Sequence, residues 1–584
     1  MSTFVKYTSW LRPLMLLLAA LFSLPSPAPC HTPSSPLYLP DTQAPKYETR
    51  AVWLTTIGGI DWPRTHALSP SSAQRQRDEL CTLLDRLKAA NVNTILFQVR
   101  IRGTVIYPSS LEPWDICLTG QPGQAPDYDP LLFAIDESHK RGMELHAWVV
   151  TLPIGKWKGA GARNMQKKHK NLVMRVGDEA FMRPELDATA DYLGNVCADI
   201  CRRYDVDGIH LDYIRYPEKY KGKGTADSKR ANITRIVRTI RQAVKSQKPW
   251  VKLSCSPIGK HDDVQRYRSK GWNARSTVYQ DAQEWLRQGL MDVLFPMMYF
   301  RDNDFYPFAA DWQEHAYGRT IAAGLGIYMM LPSERNWQID DIEREMWVLR
   351  QLGLGRALFR AQFFSEDLKG IYQKIRQDLD RYPSLVPPIT WENAVPPLQP
   401  SQVWTMADGN KLTIEWTAAT ALNDSPNLLY NVYASADSTP DVSSGRHIIA
   451  TRLPDTWLTL RRPAGSRPLH IAVTAVDRYG NESTPTYFNP PTATAGETSA
   501  WLQARSDGRL LLLPDKPSTL WADVLVVKNA MGIIVASFPY HGKFADISML
   551  PPGTYTLYAV NRKQHAHRIG HFLKPLTTDH RTEH

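Results

Sequence analysis

The chain has 584 residues, 43% of them hydrophobic, and a formal net charge of +11. This length exceeds what one core organises, so two to four domains are expected. The basic balance suits anionic partners, but no arginine- or lysine-rich arm stands out, and a nucleic-acid partner is not expected.

At the N-terminus Lys6 and Arg12 precede "PLMLLLAALFSL", an apolar run too short to span a membrane, followed by "PSPAPCH". This is the layout of a secretory signal peptide over residues 1–30, with small residues at Ala28 and Cys30 suited to cleavage before His31. Pro29 directly before Cys30 fits a lipid-attachment site poorly. No later run is long enough for a transmembrane helix, so the expected location is the periplasm, the outer-membrane surface or the medium. Six cysteines show neither zinc spacing nor a disulfide framework. Cys197 and Cys201 lie one helical turn apart in an amphipathic helix, where core packing is the expected role.

From Arg50 to about Tyr382, short apolar strands alternate with amphipathic helices. "RAVWLTT", "TILFQVR", "MELHAWVV", "GIHLD", "VKLSCSP", "MDVLFPMMY", "TIAAGLGIY" and "RALFRAQFF" read as strands. "QRDELCTLLDRLKAAN", "DPLLFAIDESHKRG" (capped by Asp129), Asp187 to Tyr204, "SKRANITRIVRTIRQAVKSQ", "YQDAQEWLRQG" and "IDDIEREMWVLRQLG" read as helices. Eight βα repeats in this length predict a (β/α)8 TIM barrel over residues 46–385. The competing doubly wound sheet lacks a glycine-rich phosphate loop after the first strand.

A proline-rich connector follows, and the period changes to two. "KLTIEWTAA", "LLYNVYAS", "TWLTL" and "PLHIAVTAVDRYGNES" predict a small β-sandwich over residues 398–492, and the last of these segments resembles the end of a fibronectin type III domain. After "NPPTATAGETS", the segments "DVLVVKNAMGIIVASF" and "DISMLPPGTYTLYAV" predict a second sandwich over 498–575. It resembles the small domain that sorts cargo in type IX secretion, which implies export machinery as a partner.

Barrel enzymes carry their chemistry at the carboxyl ends of the strands. Alternation along "DGIHLD" turns Ile209 and Leu211 towards the helices, and Gly208, His210 and Asp212 inwards. His210 is expected as a packed, hydrogen-bonded residue beneath Asp212. Other candidates are Asp61 after the first strand, Gln98 and Arg100 closing the second, and Glu112 and Trp114 in its loop. His146 and Trp148 lie on the third strand, Tyr213 and Arg215 beyond the fourth, and Tyr299 on the sixth with Asp302 and Asp304 in its loop. Acids, arginines and aromatics together suit a sugar-cleaving site, which needs one carboxyl to protonate the leaving oxygen and another to attack or activate water. Aromatic rings form subsite walls, while Arg and Gln hold hydroxyl or carboxylate groups. No metal or cofactor is expected.

The segments "RAVWLTTIGGIDWP", "NTILFQVRIRGTVIYPSSLEPWD", "DYDPLLFAIDESHKRGMELHAWV", "RYDVDGIHLDYIRYP", "SCSPIGK", "YQDAQEWLRQGLMDVLFPMMYF" and "FRAQFF" together resemble the glycosyl hydrolase-like 10 family of bacterial envelope proteins. The resemblance implies an exported glycoside hydrolase acting on a cell-wall or related polysaccharide; one branch cuts peptidoglycan strands that have lost their peptides. Many members carry two adjacent acids where this chain has Asp212 followed by Tyr213. Asp212 is therefore the leading catalytic carboxylate, as nucleophile or base, with Glu112, Asp302 and Asp61 as candidate proton donors. Gln98, Arg100, Trp114, His146, Trp148, Tyr213, Arg215 and Tyr299 are the expected subsite residues. In many members "HAW" runs into an Asn-Pro-Tyr segment; here it runs "HAWVVTLPIGKW", so the groove differs on that side. The alternative is a non-catalytic glycan-binding or envelope scaffold protein with a degenerate barrel site. A metal-dependent deacetylase is a weaker rival.

Overall fold

The computed structural model describes residues 43–488 except 221, 266, 269–270, 409 and 463–465, and beyond them 502, 504, 509–513, 524–539, 544–560 and 566–575. The expected signal peptide and the stretch "NPPTATAGETS" lie outside the described residues.

Eight parallel strands close on themselves: β1 (Arg50–Leu54), β2 (Thr94–Ile101), β3 (Glu144–Val150), β4 (Gly208–Asp212), β5 (Lys252–Cys255), β6 (Val293–Leu294), β7 (Thr320–Leu325) and β8 (Gly355–Leu358). β1 pairs β2 on one side (Trp53 opposite Leu96) and β8 on the other (Ala51 opposite Ala357), which completes the barrel. Among the described residues the helices around it include α1 (Pro70–Ala89), α2 (Pro130–Lys140), α3 (Asp187–Arg203), α4 (Ala226–Lys245), α5 (Ala282–Arg287), α6 (Tyr306–Glu314) and α7 (Ile339–Gln351), and a last helical segment, Ile371–Lys374 running on to Leu379, follows β8. The helix expected from Gln76 starts six residues earlier, because Ser69 and Ser72 form a reciprocal cap ahead of Pro70. In the last repeat the strand stops at Leu358, and "AQFFS" is helical.

Alternation divides the strand side chains between two cores. Val52, Ile95, Phe97, Ile209, Leu211 and Leu253 join the layer beneath the helices. Trp53, Leu96, Trp148, Val150, Val293 and Phe295 fill the barrel interior. His210 lies among them, 5.2 Å from Phe295 between ring centroids. The Trp53 indole donates to His210 Nε2 at 3.2 Å. Because an indole only donates, the proton sits on Nδ1, which donates to Ser254 Oγ at 3.0 Å. Burial, with His146 adding to it, pushes the imidazole pKa well down, so His210 is neutral.

The amino ends of the strands are sealed by buried charge. Glu48 and Asp380 share Arg50, Arg350 and Arg356 where β1 meets β8. Beside β3, Lys252 grips Glu144 at 2.6 Å, and His139 meets Asp207 at 2.8 Å.

Beyond the barrel, strands Val403–Asp408, Lys411–Trp416 and Trp457–Arg461 form one antiparallel sheet. Strands Leu429–Ser435, Ile448–Leu453, His470–Val476 and Thr486–Phe488 form a second. Ile414, Trp416, Val432 and Val473 share one core. From this region Arg452 reaches the base of the barrel, 3.2 Å from Glu144 and 2.5 Å from Asp207, and Arg478 pairs with Asp205 at 2.9 Å. Close approach here requires glycine: a Cβ on Gly142, at φ +66°, would stand 2.3 Å from the Thr451 carbonyl. Further along, Ile534–Pro539, Val524–Asn529, Gly553–Val560 and Ala566–Lys574 form a four-stranded antiparallel sheet.

Glu144 and Asp207 are held below the usual carboxylate range by cations that outweigh the cost of burial, Lys252 foremost for Glu144 and Arg452 for Asp207. A depressed folded pKa contributes stability above the unfolded value, about 4, and loses it as pH falls further. Arg452→Ala is expected to cost about 3 kcal/mol at pH 7 in urea unfolding. The variant should also show a shallower stability loss than the parent on acidification below about pH 4.

Candidate active site

The site is built on the end of β4. Gly208 starts the strand because the His146 ring occupies the space of a side chain, 2.6 Å from where a Cβ would stand. Four residues later the carboxyl of Asp212 reaches the C-terminal mouth, 7% exposed. Its Oδ1 accepts from the Tyr213 backbone N–H at 2.7 Å and from Ser256 Oγ at 3.1 Å. Its Oδ2 accepts from the Trp148 indole at 3.1 Å. Thr151 holds the main chain there, donating to the Asp212 carbonyl through its N–H (2.9 Å) and its hydroxyl (2.8 Å). Burial raises the Asp212 pKa, more than Arg215 and the three donors lower it. A carboxyl so placed can hold a proton and release it.

Tyr213 turns the chain off the strand with φ 51°, which leaves its side chain 37% exposed. The Arg215 guanidinium lies 3.8 Å from the centre of that ring and pairs with Glu218 at 3.2 Å. Arg215 is buried, and its Nη1 has no hydrogen-bond partner among the described residues. Across the mouth, Tyr299 packs against Tyr328 (5.8 Å) and Phe359 (5.6 Å), and Phe359 meets Trp53 at 5.9 Å, so one aromatic wall runs from barrel interior to rim. Burial first, then Tyr328 and the charge of Asp212, push the Tyr299 phenol well up. In register with Trp148, Gln98 accepts through Oε1 from Thr55 Oγ1 (2.7 Å), Thr56 N (3.1 Å) and Ile57 N (3.0 Å), which leaves its amide N–H groups to donate elsewhere.

The remaining candidates have other surroundings. Glu112 is buried in a two-pronged pair with Arg100, Nε to Oε2 at 2.7 Å and Nη2 to Oε1 at 2.6 Å, and Tyr192 adds a donor at 3.0 Å. Arg100 itself is fully buried and also donates to the Val150 and Thr151 carbonyls. Asp61 accepts from Arg360, from Thr55 N at 2.9 Å and from Gln362 N at 3.0 Å. Asp304 meets Lys260 at 2.8 Å, while Asp302 is exposed on a turn at φ 53°. His146 sits deeper, with Nε2 3.2 Å from Glu144. Trp114 is half-buried against the layer beneath the helices. Thus Asp212, Trp148, Tyr213 and Arg215 converge, Tyr299 faces them, and Glu112 and Asp61 are each closed by an arginine.

Thr151, Tyr328 and Phe359 were not among the candidates. Phe359 continues the alternation of β8 by one residue, a signal the sequence did carry. Tyr328 follows β7 in a 3-10 turn, where neither strand nor helix period applies. Among the described residues no group of three or more His, Cys, Asp or Glu is arranged to hold a metal ion, and no helix is long and apolar enough to cross a membrane.

A family model described as glycosyl hydrolase-like 10 matches residues 48–229 and 224–328. A protein called glycosyl hydrolase DigH from Escherichia coli (strain K12) is 30% identical over 406 residues, 60% of this chain and 92% of that one. Glycosyl hydrolase YngK from Bacillus subtilis (strain 168) is 28% identical over 406 residues, 63% of this chain and 79% of its own. Among solved structures, the glycoside hydrolase domain of PgaB (BpsB) from Bordetella bronchiseptica covers 56% of this chain and 98% of itself, with TM-score 0.39 and 12% identity.

Removing the charge of Glu112 strands a buried guanidinium. Glu112→Gln is expected to lower stability by about 3–5 kcal/mol, read by denaturant unfolding. An unchanged transition would mean that Arg100 does not depend on this partner.

Proposed function

The chain belongs to the glycosyl hydrolase-like 10 family, and on that premise we propose that it is an exported glycoside hydrolase cutting a cell-wall glycan, specifically peptidoglycan strands free of their peptides. The observation that carries the reading is the Asp212 carboxyl: buried, raised in pKa, and held by Trp148, Ser256 and the Tyr213 N–H at the mouth of an aromatic-walled barrel. In this reading Asp212 is the catalytic carboxyl. Trp148, Tyr213 and Tyr299 line the sugar, and the Gln98 amide donates to a hydroxyl. The unpartnered Nη1 of Arg215 suits a carboxylate, which a peptide-free strand exposes on its lactyl groups. Glu112, Asp61 and Arg100 act through the scaffold, since each is closed in an ion pair within the protein.

The proposal extends to the domains. Residues 46–385 form the catalytic barrel, and 398–492 a fibronectin type III-like sandwich. What supports the latter is the pair of antiparallel sheets closing on Trp416, Val432 and Val473. Residues 498–575 form a second sandwich that engages export machinery, and the working location is the periplasm, the outer-membrane surface or the medium. A second reading, a glycan-binding scaffold, draws on the arginine partners of Glu112 and Asp61 and on Tyr213 standing where many relatives have an acid.

Purified protein is expected to release soluble fragments, identified by mass spectrometry, from peptidoglycan stripped of peptides. Asp212→Asn should lower kcat at least about a hundredfold while the melting transition stays cooperative. Equal rates for the two proteins would remove Asp212 from the chemistry. Binding to insoluble wall without any release would favour the scaffold.

A further inference from the structure

Two-carboxylate glycosidases place their acids on either side of the scissile bond, about 5–5.5 Å or 6.5–9.5 Å apart. The barrel mouth offers Asp212; exposed Glu218 is drawn to Arg215 at 3.2 Å, and Glu112, Asp61, Asp304 and Asp302 are engaged or turned away. Both oxygens of Glu112 take the Arg100 fork. Asp61 is closed in a direct ion pair with Arg360, which Asp212 lacks, and Asp304 is held by Lys260. The charge of exposed Asp302 acts on Tyr306 and Glu345, residues of the outer helices α6 and α7. Glu345 is itself buried in α7 with both carboxyl oxygens unpartnered, beside Asp341. The electrostatics of Asp212 are set chiefly by burial, Arg215 and its three donors, not by a neighbouring acid. Close enough to feel the Asp212 charge is a phenol, Tyr299, packed on Tyr328 and Phe359, whose hydroxyl has no hydrogen-bond partner among the described residues.

Building on the hydrolase reading above, we propose that the second catalytic group is supplied by the substrate: the site takes a 2-acetamido sugar, and the carbonyl oxygen of that amide is the nucleophile. Asp212, protonated at the start, is the general acid. The amide oxygen forms a bond to C1 as the C1–O glycosidic bond breaks. The departing oxygen keeps the bonding pair and takes the Asp212 proton, leaving a cyclic oxazolinium. In the second half Asp212, now a carboxylate, takes a proton from water. The water oxygen bonds to C1, and the C1–O bond to the amide opens. C1 is inverted twice, so its configuration is retained, and Asp212 ends protonated as it began. The Tyr299 hydroxyl is the free donor able to hold the amide, and Trp148 fixes the carboxyl that serves both halves.

The assignment requires the 2-acetamido group and no second protein acid. Full-length protein is assayed on peptide-free strands, on the same strands chemically de-N-acetylated, and on strands re-acetylated with trifluoroacetyl groups, whose amide oxygen is a poorer nucleophile. The parent strand should give the retained anomer by NMR. A thiazoline analogue of the oxazolinium should compete with substrate. De-N-acetylated strands should lose at least about a hundredfold in kcat, as expected when a pre-positioned nucleophile is removed. Trifluoroacetyl strands should lose kcat with little change in KM, which separates nucleophilicity from binding. An inverted product, or full kcat on de-N-acetylated strands, overturns the proposal and leaves the hydrolase reading standing. Failure to cleave any of the three strands overturns the hydrolase reading itself.

Discussion

The mouth of this barrel depends on one buried guanidinium. Arg100 leaves the end of β2 fully buried and satisfies its donors on Glu112 and on the carbonyls of Val150 and Thr151. Burying such an ion costs several kcal/mol unless its partners are complete. The geometry of three segments is therefore tied to it: the end of β2, the loop that carries Glu112, and the end of β3. Thr151, fixed by this anchor, donates twice to the Asp212 carbonyl. The position of the site carboxyl thus follows from an ion pair that touches neither it nor its side-chain partners.

Charge at the other end of the barrel has a different task. Glu144 and Asp207 lie at the amino ends of β3 and β4, where Lys252 and His139 provide part of the compensation and Arg452 and Arg478 the rest. Those arginines come from the β-rich region beyond the barrel, so that region completes the electrostatics of the barrel base. Chemistry at the carboxyl ends and stability at the amino ends is the usual division in this fold. The neutral His210, packed between Trp53 and Phe295, separates the two ends without adding a charge to either.

Much of the architecture was legible in the chain. Ile209 and Leu211 against His210 and Asp212 gave the correct inward and outward faces, because a strand alternates whatever surrounds it. The expected roles of His210 and of Cys197 and Cys201 as packed core residues agree with their burial. Illegible were the short sheet Pro153–Lys156, Val173–Val176 and Glu179–Met182 after β3, and helix α6, whose Pro307 and neighbouring loop residues mask its period. The seven short strands of 403–488 were in part visible as alternation, but their division into two sheets depends on pairings such as Leu429 with Val476 that skip intervening strands.

The residue types gathered at the strand ends, and Asp212 as the acid that closes β4, followed from the sequence alone, since period and strand polarity are local properties. Which acids remain available did not. Asp61 is closed by Arg360, 299 residues away, and Glu144 by Lys252, 108 residues away, with Arg452 adding a contact from 308 residues away, and no local pattern encodes such partners. Whether a carboxyl is a catalyst or half of an ion pair is set by the charge that folding brings beside it, and only the closed barrel decides that.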